Sequence, residues 1–254
     1  VGISRPITKH NFLVRSVKEL PEIIKKAFYI ASTGRPGPVL VDIPVDVSRA
    51  VLDDYQYPES VSIRSYNPVV KCDTAQIDKA VELLSSSSKP LIFAGGGVNH
   101  AGAYEELRIF AEKTNIPVTT SLMGMGTFPA EHELFIGMPG MHGAKTANYS
   151  IQEADLILSI GVRFDDRVTG FVARFAPNAS IVHIDIDPVT ISKIVKVDVP
   201  VVADAKTALK LLIEKSHARP KDQWNARVLG WKGEQLYTYT PSESVIKPQA
   251  VIEE

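Results

Sequence analysis

Two apolar runs dominate the pattern of this chain, LILSIGV at 156–162 and SIVHIDI at 180–186. Each has the length and the Ile/Val/Leu content of a strand buried on both faces, which predicts a parallel sheet with helices above and below it. Shorter runs of the same kind stand at 90–94, 117–120 and 199–202. Between them the apolar positions switch to helical spacing: 73–84 with Asp73 as its N-cap, 101–113, 144–150, a stretch from about 188 carrying Ile191, Ile194 and Val195, and 205–215. Strand, glycine turn, helix, strand across 90–120 is a βαβ crossover. The segment 73–216 is therefore predicted to be one doubly wound α/β domain with a mainly parallel six-stranded sheet.

The flanks are patterned differently. Residues 17–32 carry a helical stripe of Leu20, Ile23, Ile24, Ala27, Phe28 and Ala31 that ends at TGRPGP, and 39–43 is a strand stopped by Pro44. One helix and one strand do not enclose a core, so 1–50 reads as the end of a preceding domain. Residues 51–72 gather Tyr, Pro and Ser and read as a linker. The stretch 217–254, with a helix at 222–235 and Pro248 at the first turn of another, reads as the start of a following domain. Both ends are expected to lie inside neighbouring domains. The loop 121–143 is rich in Gly and Met and has no helical stripe, which suits packing against a ligand or a second subunit, or equally a flexible core filler.

Composition narrows the class. A 44% hydrophobic, 22% charged chain with net charge −1 has no electrostatic footprint for nucleic acid or a membrane surface. No apolar run approaches the ~20 residues that span a bilayer, and 1–14 is neither a signal nor a transit peptide. The lone cysteine, Cys72, excludes an internal disulfide and a cysteine-built metal site. An intracellular protein is expected.

The chemistry gathers where strands end. The 156–162 run empties into Arg163, Asp165, Asp166 and Arg167, and the 180–186 run ends in Asp185 and Asp187. In open α/β sheets ligands bind outside the carboxyl ends of the strands. A guanidinium fork matches phosphate or carboxylate oxygens, and an ionised carboxylate accepts from both hydroxyls of a ribose. Arg163 with Asp185 thus points to a nucleotide; the competing reading is a solvated RFDDR loop whose charges pair with one another. Gly95, Gly96 and Gly97 either bring backbone N–H groups up to an anion or serve only a tight turn. As a GxGxxG dinucleotide fingerprint the turn fails, because His100 stands where the third glycine belongs.

Six motifs between residues 4 and 188, SRPITKHN, TGRPGPVLVDIP, SLMGMG, GMPGMHG, GVRFDDRVTG and HIDIDP, resemble in order and spacing the catalytic large subunits of the acetohydroxyacid synthase (acetolactate synthase) family of thiamine diphosphate enzymes. The resemblance implies the end of a pyrimidine-binding domain, a whole central FAD-binding domain and the first turns of a pyrophosphate-binding domain. It implies an enzyme that decarboxylates pyruvate and joins the two-carbon unit to pyruvate or 2-ketobutyrate, for branched-chain amino acids, with FAD bound but not used for net redox chemistry.

By the same resemblance, Arg5, Gly96, Gly97, Ser121, Leu122, Met123, His142, Gly143, Arg163, Asp185, Ile186, Asp204 and Ala205 would contact FAD. Met141, Asp166 and Arg167 would line the substrate channel, with Arg15 at its mouth. The glutamate that activates thiamine diphosphate and the residues that hold Mg2+ fall outside these 254 positions in the family pattern, so no catalytic residue or metal ligand is assigned and the chain alone is expected to be inactive. A homo-oligomer, a regulatory small subunit and a cytoplasmic location, organellar in a eukaryote, are also implied. The alternatives are a related thiamine diphosphate enzyme, such as glyoxylate carboligase or pyruvate oxidase, and a non-catalytic nucleotide-binding domain.

Overall fold

A computed structural model of the chain describes residues 1–69, 71–234 and 239–254. The expected linker residue 70 and the expected last residue of the 222–235 helix, 235, lie outside the described residues.

The first unit is small. Strand β1 (His10–Leu13) pairs in parallel with β2 (Val39–Asp42), and α1 (Leu20–Ser32) crosses between them. Lys9 Nζ donates to the carbonyls of Ile30 (2.5 Å) and Thr33 (2.8 Å) at the α1 carboxyl end, where a cation complements the helix dipole. Tyr66, in the stretch expected to be a linker, donates to the same Thr33 carbonyl at 2.8 Å. One expectation is corrected here: a second strand, β1, accompanies β2. A short helix, α2 (Val45–Arg49), follows Pro44.

The main body begins at α3 (Thr74–Ser86), capped by Asp73 through the Ala75 N–H as its sequence predicts. Strand β3 (Pro90–Ala94) follows, then α4 (Gly96–Ala101) and α5 (Tyr104–Thr114), β4 (Val118–Thr120), α6 (Lys145–Glu153), β5 (Leu156–Ile160), the single turn α7 (Asp166–Thr169), β6 (Ser180–Asp185), β7 (Val199–Val202) and α8 (Ala205–Lys215). All strand pairs are parallel in the order β4-β3-β5-β6-β7. The sheet has five strands, not the expected six; a sixth is absent among the described residues. β3 and β5 are buried along their whole length, as continuous apolar runs require.

Two other expectations are overturned. The single helix at 101–113 is divided, because Gly102 takes a left-handed conformation (φ 56°) that ends α4 and lets α5 start afresh. The stretch from Pro188 is a series of turns, not a helix: Asp187 folds back on Val189 and Thr190, and Ser192 is left-handed (φ 59°), so the apparent stripe of Ile191, Ile194 and Val195 never forms a face. α9 (Gln223–Glu234) and α10 (Pro248–Glu253) complete the described helices. α9 packs on α6 and sends Trp224 under the sheet beside Leu91, Phe93 and Ile157, where its indole N–H donates to the Pro90 carbonyl at 3.0 Å.

Candidate functional site

The chain leaves β3 for β4 on one side and then crosses to β5 on the other, so the carboxyl ends of β3 and β5 mark the switch point where such sheets open a crevice. Here the backbones mesh. Gly95 N–H donates to the Ile160 carbonyl (2.9 Å), Gly97 N–H to that of Gly161 (3.1 Å), and Gly161 N–H to that of Ile184 (2.8 Å). A Cβ on Gly97 would stand 2.5 Å from the Gly161 Cα. Gly95 and Gly97 are therefore required by close backbone packing against the end of β5. Gly96 instead faces Met123, and Asn99 Nδ2 donates to the Met123 carbonyl at 2.7 Å, tying α4 to the β4 end.

Most of the sequence-predicted ligand residues follow a strand end of this one sheet. Gly96 and Gly97 come after β3, Ser121, Leu122 and Met123 after β4, Arg163 after β5, Asp185 and Ile186 at the end of β6, and Asp204 with Ala205 after β7. Leu122 and Met123 are exposed. Thr120 Oγ1, at the tip of β4, is buried without a hydrogen-bond partner among the described residues. Asp204 caps α8 through the Thr207 N–H at 3.0 Å. Arg5 is not brought to this edge by any strand of it; it lies in an exposed 3-10 turn of the small unit.

The two charged residues differ in setting. Arg163 is 61% exposed and its guanidinium stands 3.7 Å from the Asp165 carboxylate, a loose pair that leaves its fork available. Asp185 is buried; its Oδ1 accepts the Asp187 N–H at 2.9 Å. Burial pushes its carboxyl above the usual range, against the opposing pull of the Asp187 N–H and of His183. For an acid raised in this way the stability it permits is complete below the unfolded value and is lost as pH rises through the folded one. Asp185→Asn keeps the Oδ1 acceptor and removes the charge. It should melt higher than the parent at neutral pH, with the difference vanishing below about pH 4 in a thermal denaturation series.

A second feature lies beside the crevice. Met141, Asp166 and Arg167, predicted together as channel residues, line one cleft of about 300 Å3 with Asn148, Gln152 and Phe175. The GMHG loop is fixed there by Asn148, whose amide accepts the Gly140 N–H (2.7 Å) and donates to the Gly140 carbonyl (3.0 Å), and by Met141 N–H on the Arg167 carbonyl (2.9 Å). His142 is exposed on the same loop, and Gly143 N–H turns back to the Gly140 carbonyl at 3.0 Å. Sequence reasoning passed over Asn148, Phe164 and His183. The first sits in an ordinary helical stripe, Phe164 stands among the charges of RFDDR, and His183 lies within an apolar run. Among the described residues no group of three or more His, Cys, Asp and Glu is placed to hold a metal ion, and no helix is long and apolar enough to cross a membrane.

The family itself is shown by the match of residues 77–212, from α3 to α8: the chain belongs to the family described as thiamine pyrophosphate enzyme, central domain. Over all or nearly all of its length it is similar to acetolactate synthase large subunits, as its motifs implied. It is 46% identical to the acetolactate synthase isozyme 3 large subunit of Escherichia coli (strain K12) over 261 residues, 47% to the large subunit of Buchnera aphidicola subsp. Schizaphis graminum and 48% to that of Haemophilus influenzae. Each alignment covers 100% of this chain but only 46%, 45% and 45% of the respective relative, so the chain spans about half the length of the curated relatives it matches.

Proposed function

We propose that this chain is the FAD-holding central part of an acetolactate synthase large subunit, which decarboxylates pyruvate and condenses the product with pyruvate or 2-ketobutyrate. One observation carries the reading: most of the residues expected to hold the nucleotide stand, in turn, at the carboxyl ends of all five strands of one parallel sheet. The residues present fit a dinucleotide. The meshed glycines leave only backbone at the centre, Thr120 Oγ1 supplies a buried polar atom without a partner among the described residues, Arg163 supplies a fork for phosphate oxygens, and Asp185 supplies an acceptor for a ribose diol.

Ser121, Leu122, Met123, His142 and Gly143 would lie along the flavin, and Asp204 with Ala205 at the adenine end. Met141, Asp166 and Arg167 would line the approach of the second keto acid, with the Arg167 guanidinium drawing its carboxylate. Thiamine diphosphate with Mg2+ would be held by residues outside these 254 and would supply the nucleophilic carbon for decarboxylation. A cytoplasmic homo-oligomer working with a regulatory small subunit completes the reading, in keeping with the relatives' designation as large subunits.

The test is equilibrium dialysis of the chain with FAD and with ADP. FAD is expected to bind more tightly than ADP, and Arg163→Ala and Asp185→Ala are each expected to weaken it by about tenfold or more, the size of a charge-assisted hydrogen bond. Equal affinity for ADP and FAD would favour a plain adenine-nucleotide module instead. A full-length protein that consumes glyoxylate rather than pyruvate would sink the synthase assignment.

A further inference from the structure

His183 lies within β6 and is wholly buried. Its Nε2 stands 2.9 Å from the carbonyl oxygen of Val162, beyond the end of β5. A carbonyl only accepts, so Nε2 carries the proton. Nδ1 is then bare, and it is buried without a hydrogen-bond partner among the described residues. Burial also holds the imidazole below its usual range, favouring the neutral ring, against a weaker pull from Asp185. A position needed only for packing would be filled by leucine or phenylalanine without leaving a polar atom unpaired in the core. The donor at Nε2 is what histidine adds.

That donor acts on one side of Arg163, and the ring acts on the other. Val162 and Phe164 are almost fully buried, while Arg163 between them is exposed. Phe164 is left-handed (φ 53°), a conformation a bulky residue holds only when its surroundings fix it. Its ring meets Phe93, Phe175 and His183 edge to face, with centroids 5.9, 5.9 and 5.1 Å away. So both neighbours of Arg163 are drawn inward, the first by the His183 N–H and the second by a set of rings that includes His183. The arginine has only the outward direction left.

We propose that His183 is a positioning residue for the nucleotide site, its Nε2–H and ring face together fixing the loop after β5 so that Arg163 is presented at the crevice. This rests on the flavin reading above. The other polar neighbour of His183, the Asp185 carboxylate, stands 3.9 Å from Nε2, beyond hydrogen-bond reach, so His183 acts on Arg163 through the loop.

The test is a double-mutant cycle on FAD affinity in the whole chain, with thermal melts alongside to separate binding from folding. His183→Leu removes the donor, His183→Gln restores one near the Nε2 position, and His183→Asn keeps a polar group that ends near Nδ1. His183→Leu is expected to weaken FAD about tenfold, a coupling of ~1.4 kcal/mol, while His183→Gln stays within about twofold of the parent. In an Arg163→Ala background the His183→Leu loss should vanish. A loss undiminished in that background, or parental affinity in His183→Leu while the parent binds FAD, would overturn the role of His183 and leave the flavin reading standing. Absence of FAD binding in the parent would overturn both. If His183→Leu does not fold, His183→Asn against His183→Gln decides: Asn weaker than Gln supports the role, and equal affinities overturn it.

Discussion

Gly161→Ala should lower the melting temperature by about 6–12 °C, the equivalent of ~3 kcal/mol in a domain of this size. Two costs add. Gly161 has φ 61°, a left-handed conformation that charges any L-residue roughly 1 kcal/mol. The new Cβ would also come within 3 Å of three backbone atoms of Gly97, against ordinary contacts of 3.4 Å or more. Gly97 has no room to retreat, because its N–H is bonded to the Gly161 carbonyl and its own position is closed by the Gly161 Cα. Overpacking of this sort costs ~1–3 kcal/mol. Gly102→Ala is the control: its φ is 56° but nothing lies within 4 Å of the added carbon, so only the conformational part, about 1 kcal/mol, should appear. Equal melting shifts for the two variants would show that the meshing of β3 and β5 is not what requires glycine at 161.

Trp224→Ala should cost ~3–5 kcal/mol by chemical denaturation, the range for emptying a large aromatic site. Trp224 is 4% exposed and its indole N–H is bonded to the Pro90 carbonyl, at the start of β3. It is braced edge to face by Trp231 at 5.9 Å, while Trp231 meets Tyr149 of α6 at 5.6 Å. The far face of the sheet thus depends on a helix that follows the 77–212 match. A variant as stable as the parent would mean that the Leu91, Phe93 and Ile157 face closes without α9.

The parts of the fold legible in the sequence are those where burial is uniform. β3, β5 and β6 are buried on both faces, so their residues form mainly apolar runs of strand length. β1, His10–Leu13, escaped because half of its four residues are polar and it sits in a two-stranded sheet with little to bury. The false helix after Pro188 came from apolar spacing alone; the turn chemistry of Asp187 and the left-handed Ser192 outweighed it. At the site, Arg163 and Asp185 were visible because charge at the end of an apolar run is conspicuous. His183 was not, since a histidine inside such a run shows its use only when its partner across the sheet, Val162, is known. The same holds for Asn148, whose grip on Gly140 spans a loop.

The chain's two tryptophans, Trp224 and Trp231, both belong to α9. Ultraviolet emission from this protein is therefore a local optical gauge. It follows the seating of one helix against the underside of the sheet, so a spectral shift on heating marks when that helix departs. Events at the opposite, carboxyl edge are better followed through a chromophore brought by the ligand itself.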